Sequence, residues 1–242
     1  MRGHIWQTIM VDPSVKYEVS VGSCDVESTS LYDEQIKIDI IRTHPTDTWF
    51  DCHRPTLCRL LNSFALRNVG FGYSQGLNYL IFVLWKVFYN DDPITAERYT
   101  LSSLQYLVGK LMTVYPLSRS DSQAMVQMQT ICTMVRLRCS TKHPKLQDKL
   151  FSRTYEPMLV SLVTRVVPTM FSNIFDVDQC MLLWDELLIH DRLLEALVTC
   201  VSNVVSHNHN AIANLPLYNC MTVVQTSMKI MCHTIVTDLK RR

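Results

Sequence analysis

Between Pro55 and Gly70 the apolar residues Leu57, Leu60, Leu61, Phe64 and Ala65 fall at i, i+3, i+4, i+7 and i+8. That spacing follows the turn of an α-helix and lines one of its faces; a strand would need alternation. Pro55 suits a first helical position, where no amide donor is required, and Gly70 is placed to stop the run. The same period recurs along the chain. Leu77, Leu80, Ile81, Leu84, Val87 and Phe88 share a face over residues 76–90, and Leu101, Leu104, Val108, Leu111 and Met112 share another that stops at Pro116. Met125, Met128, Cys132 and Val135 form a third. The pattern continues through Met158 to Phe171, Gln179 to Ile189, Leu193 to Val205, and a stripe from Met221 through Val224, Met228 and Met231 to Ile235. Alternation is confined to a weak run, Lys16 to Val21, that dissolves into small polar residues. The expected fold is all-α with ten or more helices. Loops are expected over residues 12–33 and 118–122, the second dividing an N-terminal lobe (about 1–116) from a C-terminal lobe (about 117–242) of a single domain.

Composition narrows the function classes. With 48% hydrophobic and 19% charged residues, 242 residues can bury a core and are not a disordered chain. A net charge of +1 gives no field suited to nucleic acid, and the basic run Lys240-Arg241-Arg242 is a solvated end. The longest apolar stretch, Leu80 to Trp85, is too short to cross a bilayer, and the first residues lack an apolar secretory core. Nine cysteines, none in a C-x-x-C pair, read as free thiols in a reducing compartment, hence the cytoplasm. Cys52-His53 with Cys58, and His207-Asn208-His209, lack any ligand spacing suited to zinc, so no metal site is expected.

Three of the six glycines lie in Gly70-Phe71-Gly72-Tyr73-Ser74-Gln75-Gly76. Gly72 to Gly76 reads as G-x-S-x-G, the nucleophile elbow of a serine hydrolase. An elbow needs a buried strand leading into the serine, and Ser74 is preceded by a helix and then Asn68-Val69-Gly70-Phe71. A triad can be assembled in order from Ser74, Asp178 or Asp185, and His207 or His209, but the α/β context is missing. The alternative is a loop that bares Gln75 at the start of a helix.

Upstream stand Ile36, Asp39, Arg42, Thr43 and Pro45, as I-x-x-D-x-x-R-T-x-P. Asp39 and Arg42 share a helical face, and Pro45 ends the helix at or before His44. About thirty residues on comes G-Y-x-Q-G-x-N, from Gly72 to Asn78. The two motifs together resemble the TBC domain, the family of GTPase-activating proteins for Rab GTPases. Arg2-Gly3 with Trp6 resembles the family's opening R-G-x-x-W. Phe50 follows the arginine motif at the expected distance, and Trp184-Asp185, after Met170-Phe171-Ser172-Asn173, resembles the later W-D segment.

The resemblance implies a two-lobed all-α domain that lends Arg42 and Gln75 to a Rab-family GTPase. It implies no cofactor of its own beyond the GTP and Mg²⁺ that the GTPase carries. It also implies a cytoplasmic protein that meets endomembranes only through that partner. GTP hydrolysis needs the γ-phosphoryl charge stabilised and a water held in line. A planar, permanently charged guanidinium suits the first task, and a carboxamide that accepts from water suits the second. Gly72 and Gly76 would let the backbone turn sharply near a partner. A fifteen-residue helix is about 22 Å long and residues 46–54 can span roughly 30 Å, so the chain can return Gln75 to Arg42. Around the pair, Ile36 and Tyr73 are expected to fix the two segments from the core, with a partner contact the other role for Tyr73. Asp39 is expected to position Arg42 or nearby backbone. Asn78 either braces the glutamine loop or is a plain exposed polar residue. Thr43 and Gly76 complete the supporting set. A catalytically silent scaffold that binds a GTPase or another trafficking protein is the alternative function.

Overall fold

The structure, a computed structural model, describes residues 2–11, 30–90, 92–115, 122–190 and 192–241. Over these the chain forms fourteen α-helices and two short 3-10 turns, with no strand. It divides into two compact units, Met1–Ser120 and Asp121–Arg242. The loops expected over residues 12–33 and 118–122 fall mostly outside the described residues. No described helix is long and apolar enough to cross a membrane.

In the first unit the order is α1 (Arg2–Met10), α2 (Asp33–Arg42), α3 (Thr48–Asp51), α4 (Arg54–Arg67), α5 (Leu77–Phe88) and α6 (Pro93–Leu111). The α5 sequence, LNYLIFVLWKVF, is apolar almost all round, and such a helix must be covered on every side. It is: α1, α2, α4 and α6 all pack against it, and Leu80, Ile81, Phe82, Val83 and Leu84 are fully buried. Residues 46–54, read as a bare linker, contain α3. Asp47 caps that turn by accepting from the Trp49 N–H at 3.0 Å, a signal present in the sequence. Gly70 does not close α4; Asn68 does, its amide donating to the Phe64 carbonyl at 2.9 Å.

The second unit runs α7 (Ser122–Lys142), α8 (Gln147–Leu150), α9 (Glu156–Val166), α10 (Val177–Leu187), α11 (Leu193–His207), α12 (His209–Asn214), α13 (Leu217–Met228) and α14 (Cys232–Lys240). Here α11 is the central helix, packed by α7, α10, α12, α13 and α14. Two expected elements are corrected. The stripe from Met221 to Ile235 is broken at Lys229–Met231 into α13 and α14, with no glycine or proline to announce it. The break lets α14 lie against α10 and α11 while α13 serves α12 and α11. The helix expected to reach Phe171 stops at Val166, two residues before Pro168, which cannot donate to a continuing helix.

Beyond that stop, Met170 and Phe171 adopt left-handed backbone, φ 48° and 67°, where a side chain costs about 1–2 kcal/mol per residue. Trp184, fully buried, donates its indole N–H to the Met170 carbonyl at 2.9 Å, and Phe171 stacks on Phe175. This is why the W-D segment and Met170-Phe171 belong together. Trp184→Phe keeps most of the ring volume and removes the donor. It should cost about 1–3 kcal/mol, read as a lower midpoint in urea unfolding.

Candidate functional site

Asp33 to Arg42 forms a helix because two acids open it, an apolar face faces α4 and α5, and Thr43-His44-Pro45 ends it. Thr43 is already extended and His44 is left-handed at φ 41°. Arg42 is therefore the last helical residue. Its inward neighbours, Ile36, Asp39, Ile40 and Thr43, are buried, and Arg42 itself is exposed.

This helix is fastened at both ends by α4. At its start, the Asn62 carboxamide oxygen accepts from the Ser30 N–H at 3.1 Å and its hydroxyl at 2.6 Å, while its amide donates to Asp33 at 2.9 Å. The Lys37 ammonium is the main cause holding the Asp33 carboxyl below the usual carboxylate range. At its end, the Arg54 guanidinium donates to the carbonyls of Ile40 and Thr43, lies 4.4 Å over the Phe50 ring and pairs with Asp51 at 2.9 Å. A cation there complements the carbonyl end of a helix.

The loop before α5 is joined to α2 by a buried polar chain. The Tyr73 hydroxyl donates to the Asp39 carboxylate at 2.9 Å. The Thr43 hydroxyl donates to the Asp39 carbonyl at 2.7 Å and accepts from the Asn78 amide at 2.6 Å. The Asn78 carboxamide oxygen accepts from the Gly76 N–H at 2.9 Å. Burial first, then the neighbouring Asp39 charge, push the Tyr73 phenol far above its ordinary range, so it remains a donor. Asp39 thus spends its carboxylate on Tyr73 across the two segments, and Asn78 braces the glutamine loop.

Gly72 and Gly76 both have left-handed backbone, φ 67° and 113°. The positive φ at Gly72 favours glycine, and a Cβ there would also meet the exposed Tyr32 ring, 2.5 Å from its Cε2 and Cζ, which would have to move aside. Gly76 caps α5 and leaves Gln75 exposed just ahead of a helix N-terminus. Neither the Arg42 nor the Gln75 side chain has a hydrogen-bond or ion-pair partner among the described residues. Ser74 is half-buried in a loop between helices, with no strand leading into it, so the elbow geometry of a hydrolase is not formed.

The Rab-GTPase-TBC domain model matches residues 1–212. The chain belongs to this family. A TBC domain-containing protein kinase-like protein of Dictyostelium discoideum is 20% identical over 241 residues, covering 98% of this chain and 22% of that protein. The chain thus spans about a fifth of that relative's length. Among solved structures, its fold is similar to the Ypt/Rab-GAP domain of Gyp1p, with a TM-score of 0.68, 16% identity, and coverage of 99% of this chain and 80% of that one.

Three residues of this TBC domain escaped the sequence reading: Tyr32, Arg54 and Asn62. Arg54 has a local signal, a cation directly before the Pro55 helix start, but its target, the end of α2, is a tertiary fact. Asn62 sits among the apolar positions of α4 as a polar residue, which is itself a hint that a buried partner exists. Two of the histidines weighed for zinc pack on other rings. His53 packs on Trp49 at 4.2 Å, and His209 stacks on His143 at 4.3 Å. Among the described residues no three His, Cys, Asp or Glu side chains are grouped to hold a metal.

The buried chain makes a stability prediction. Asn78→Ala strips partners from Thr43 and the Gly76 N–H without adding solvent, and should cost about 2–4 kcal/mol. Denaturant titration of the variant against wild type reads this directly.

Proposed function

We propose that this chain accelerates GTP hydrolysis by a Rab-family GTPase, supplying Arg42 and Gln75 in trans. The observation that carries the reading is the mounting of the two side chains. Each stands exposed at the tip of its own segment, without a side-chain partner among the described residues, and the segments are locked together by the Asp39–Tyr73 and Thr43–Asn78 hydrogen bonds. A protein using these residues only for its own stability would have them turned inward or paired.

In this reading the Arg42 guanidinium donates to oxygens of the γ-phosphoryl group, where negative charge gathers in the transition state. The Gln75 carbonyl accepts from the attacking water and its amide donates to the partner. The partial positive charge at the start of α5 faces the same phosphates. The domain brings no cofactor; GTP and Mg²⁺ arrive with the GTPase. Its place is vesicle trafficking in the cytoplasm, with membranes reached indirectly through the GTPase.

The deciding experiment is single-turnover GTP hydrolysis across a panel of Rab GTPases, with wild type and Arg42→Ala side by side. Stimulation of at least one GTPase by wild type, and loss of it in the variant, is the expected result. Equal stimulation by both proteins discards the mechanism.

A further inference from the structure

The outward face of α2 is not what a solvated helix carries. Glu34, Gln35 and Lys37 are there, but so are Ile38, 41% exposed, and Ile41, 66% exposed. Isoleucine is neither a strong helix former nor a surface residue by preference, and two of them stand within one turn of Arg42. Ile38 and Arg42 are four residues apart and so share one line along the helix, while Ile41 adjoins both. Leu31, wholly exposed in the turn before α2, extends the line in the other direction. The helix beneath is held rigid at both ends by Asn62 and Arg54, so the stripe is presented at a fixed angle with the arginine at its tip.

We propose that Ile38 and Ile41 form the apolar docking strip that selects the GTPase, by packing against aliphatic or aromatic side chains beside its nucleotide pocket. This rests on the reading of Arg42 as an arginine finger. Ile38 lies one turn back on the line from which Arg42 projects and Ile41 is its neighbour in the chain, so a partner that receives the guanidinium meets the helix on the side that carries them. A GTPase with charged side chains at that place must desolvate them against isoleucine, and is rejected for it. A central apolar anchor beside a charged group is also how interfaces concentrate their binding energy.

The test uses the full chain and, in its GTP form, the GTPase of the panel that responds best or, where none responds, the one that binds most tightly. Ile38→Asp and Ile41→Asp should each raise the half-saturating concentration in stimulated hydrolysis by roughly tenfold or more. The saturated rate should stay near that of wild type, and Ile38→Leu should retain most of the affinity. Thermal unfolding should stay close to that of wild type, above all for Ile41→Asp, whose side chain is 66% exposed. An unchanged half-saturating concentration overturns the proposal, and so does a fall in melting temperature, which would assign the isoleucines to the fold. Direct binding by calorimetry separates this from the finger mechanism. If wild type and Arg42→Ala bind equally but neither stimulates hydrolysis, the finger fails, and loss of binding in Ile38→Asp still upholds the strip. Absence of binding by wild type overturns both.

Discussion

Arg42→Ala should slow stimulated GTP hydrolysis by roughly 10³- to 10⁵-fold, about 4–7 kcal/mol of barrier, while leaving the protein as stable as wild type. Both halves of that statement come from the site. In the proposed mechanism the large kinetic loss follows from removing a permanent charge and its two-pronged donation to phosphate, made only as the reaction proceeds. The absence of a stability cost follows from the side chain's exposure and its lack of partners among the described residues. Arg42→Lys should recover little, since an ammonium is a point charge without the planar fork. Rapid-quench measurement under single-turnover conditions, paired with a thermal melt, tests the two halves together. A variant that is slow only because it has unfolded would refute the assignment of Arg42 to the chemistry.

Gln75→Ala is the second large effect, with an expected loss of about 10² to 10³ in the saturated rate and little change in half-saturation. Gln75 stands outside the buried chain that runs through Asn78, so its removal leaves the loop held by the Gly76 N–H to Asn78 bond. The contrast with Asn78→Ala is informative: one variant should lose rate with its fold intact, the other should lose stability first. Gln75→Glu should be no better than alanine, because it places a negative charge beside the phosphates and loses the amide donor. A Gln75→Ala protein that matches wild type at saturation would leave Arg42 as the sole finger.

Much of the fold was legible because its signals are local. The period of Leu57, Leu60, Leu61 and Phe64 marks α4, and the near-continuous apolar run from Leu77 to Phe88 marks a helix that must be covered. Where a boundary depended on neighbours, reading along the chain failed. The turn at Lys229–Met231 carries no breaker, since Met228, Met231 and Cys232 are all buried and sustain the helical period across it. The overlong helix through Phe171 erred differently: Pro168 was in plain view, yet the apolar residues beyond it belong to a left-handed turn held by Trp184.

At the site, sequence alone determined the parts: a helix ending on Arg42, a glycine-flanked loop baring Gln75, and an all-helical frame around them. Helical period, proline stops and glycine freedom act within a few residues of chain, so composition and order suffice to express them. Only the tertiary structure decided how the parts are held. It gave Asp39 to Tyr73, seated Asn78 on Thr43, and set Arg54 and Asn62 at the two ends of α2. It also turned Ile38 and Ile41 outward beside Arg42. Such pairings join residues ten to forty positions apart, and no local rule states which donor meets which acceptor. That choice is made by packing, because a buried polar group must find its partner wherever the core brings one.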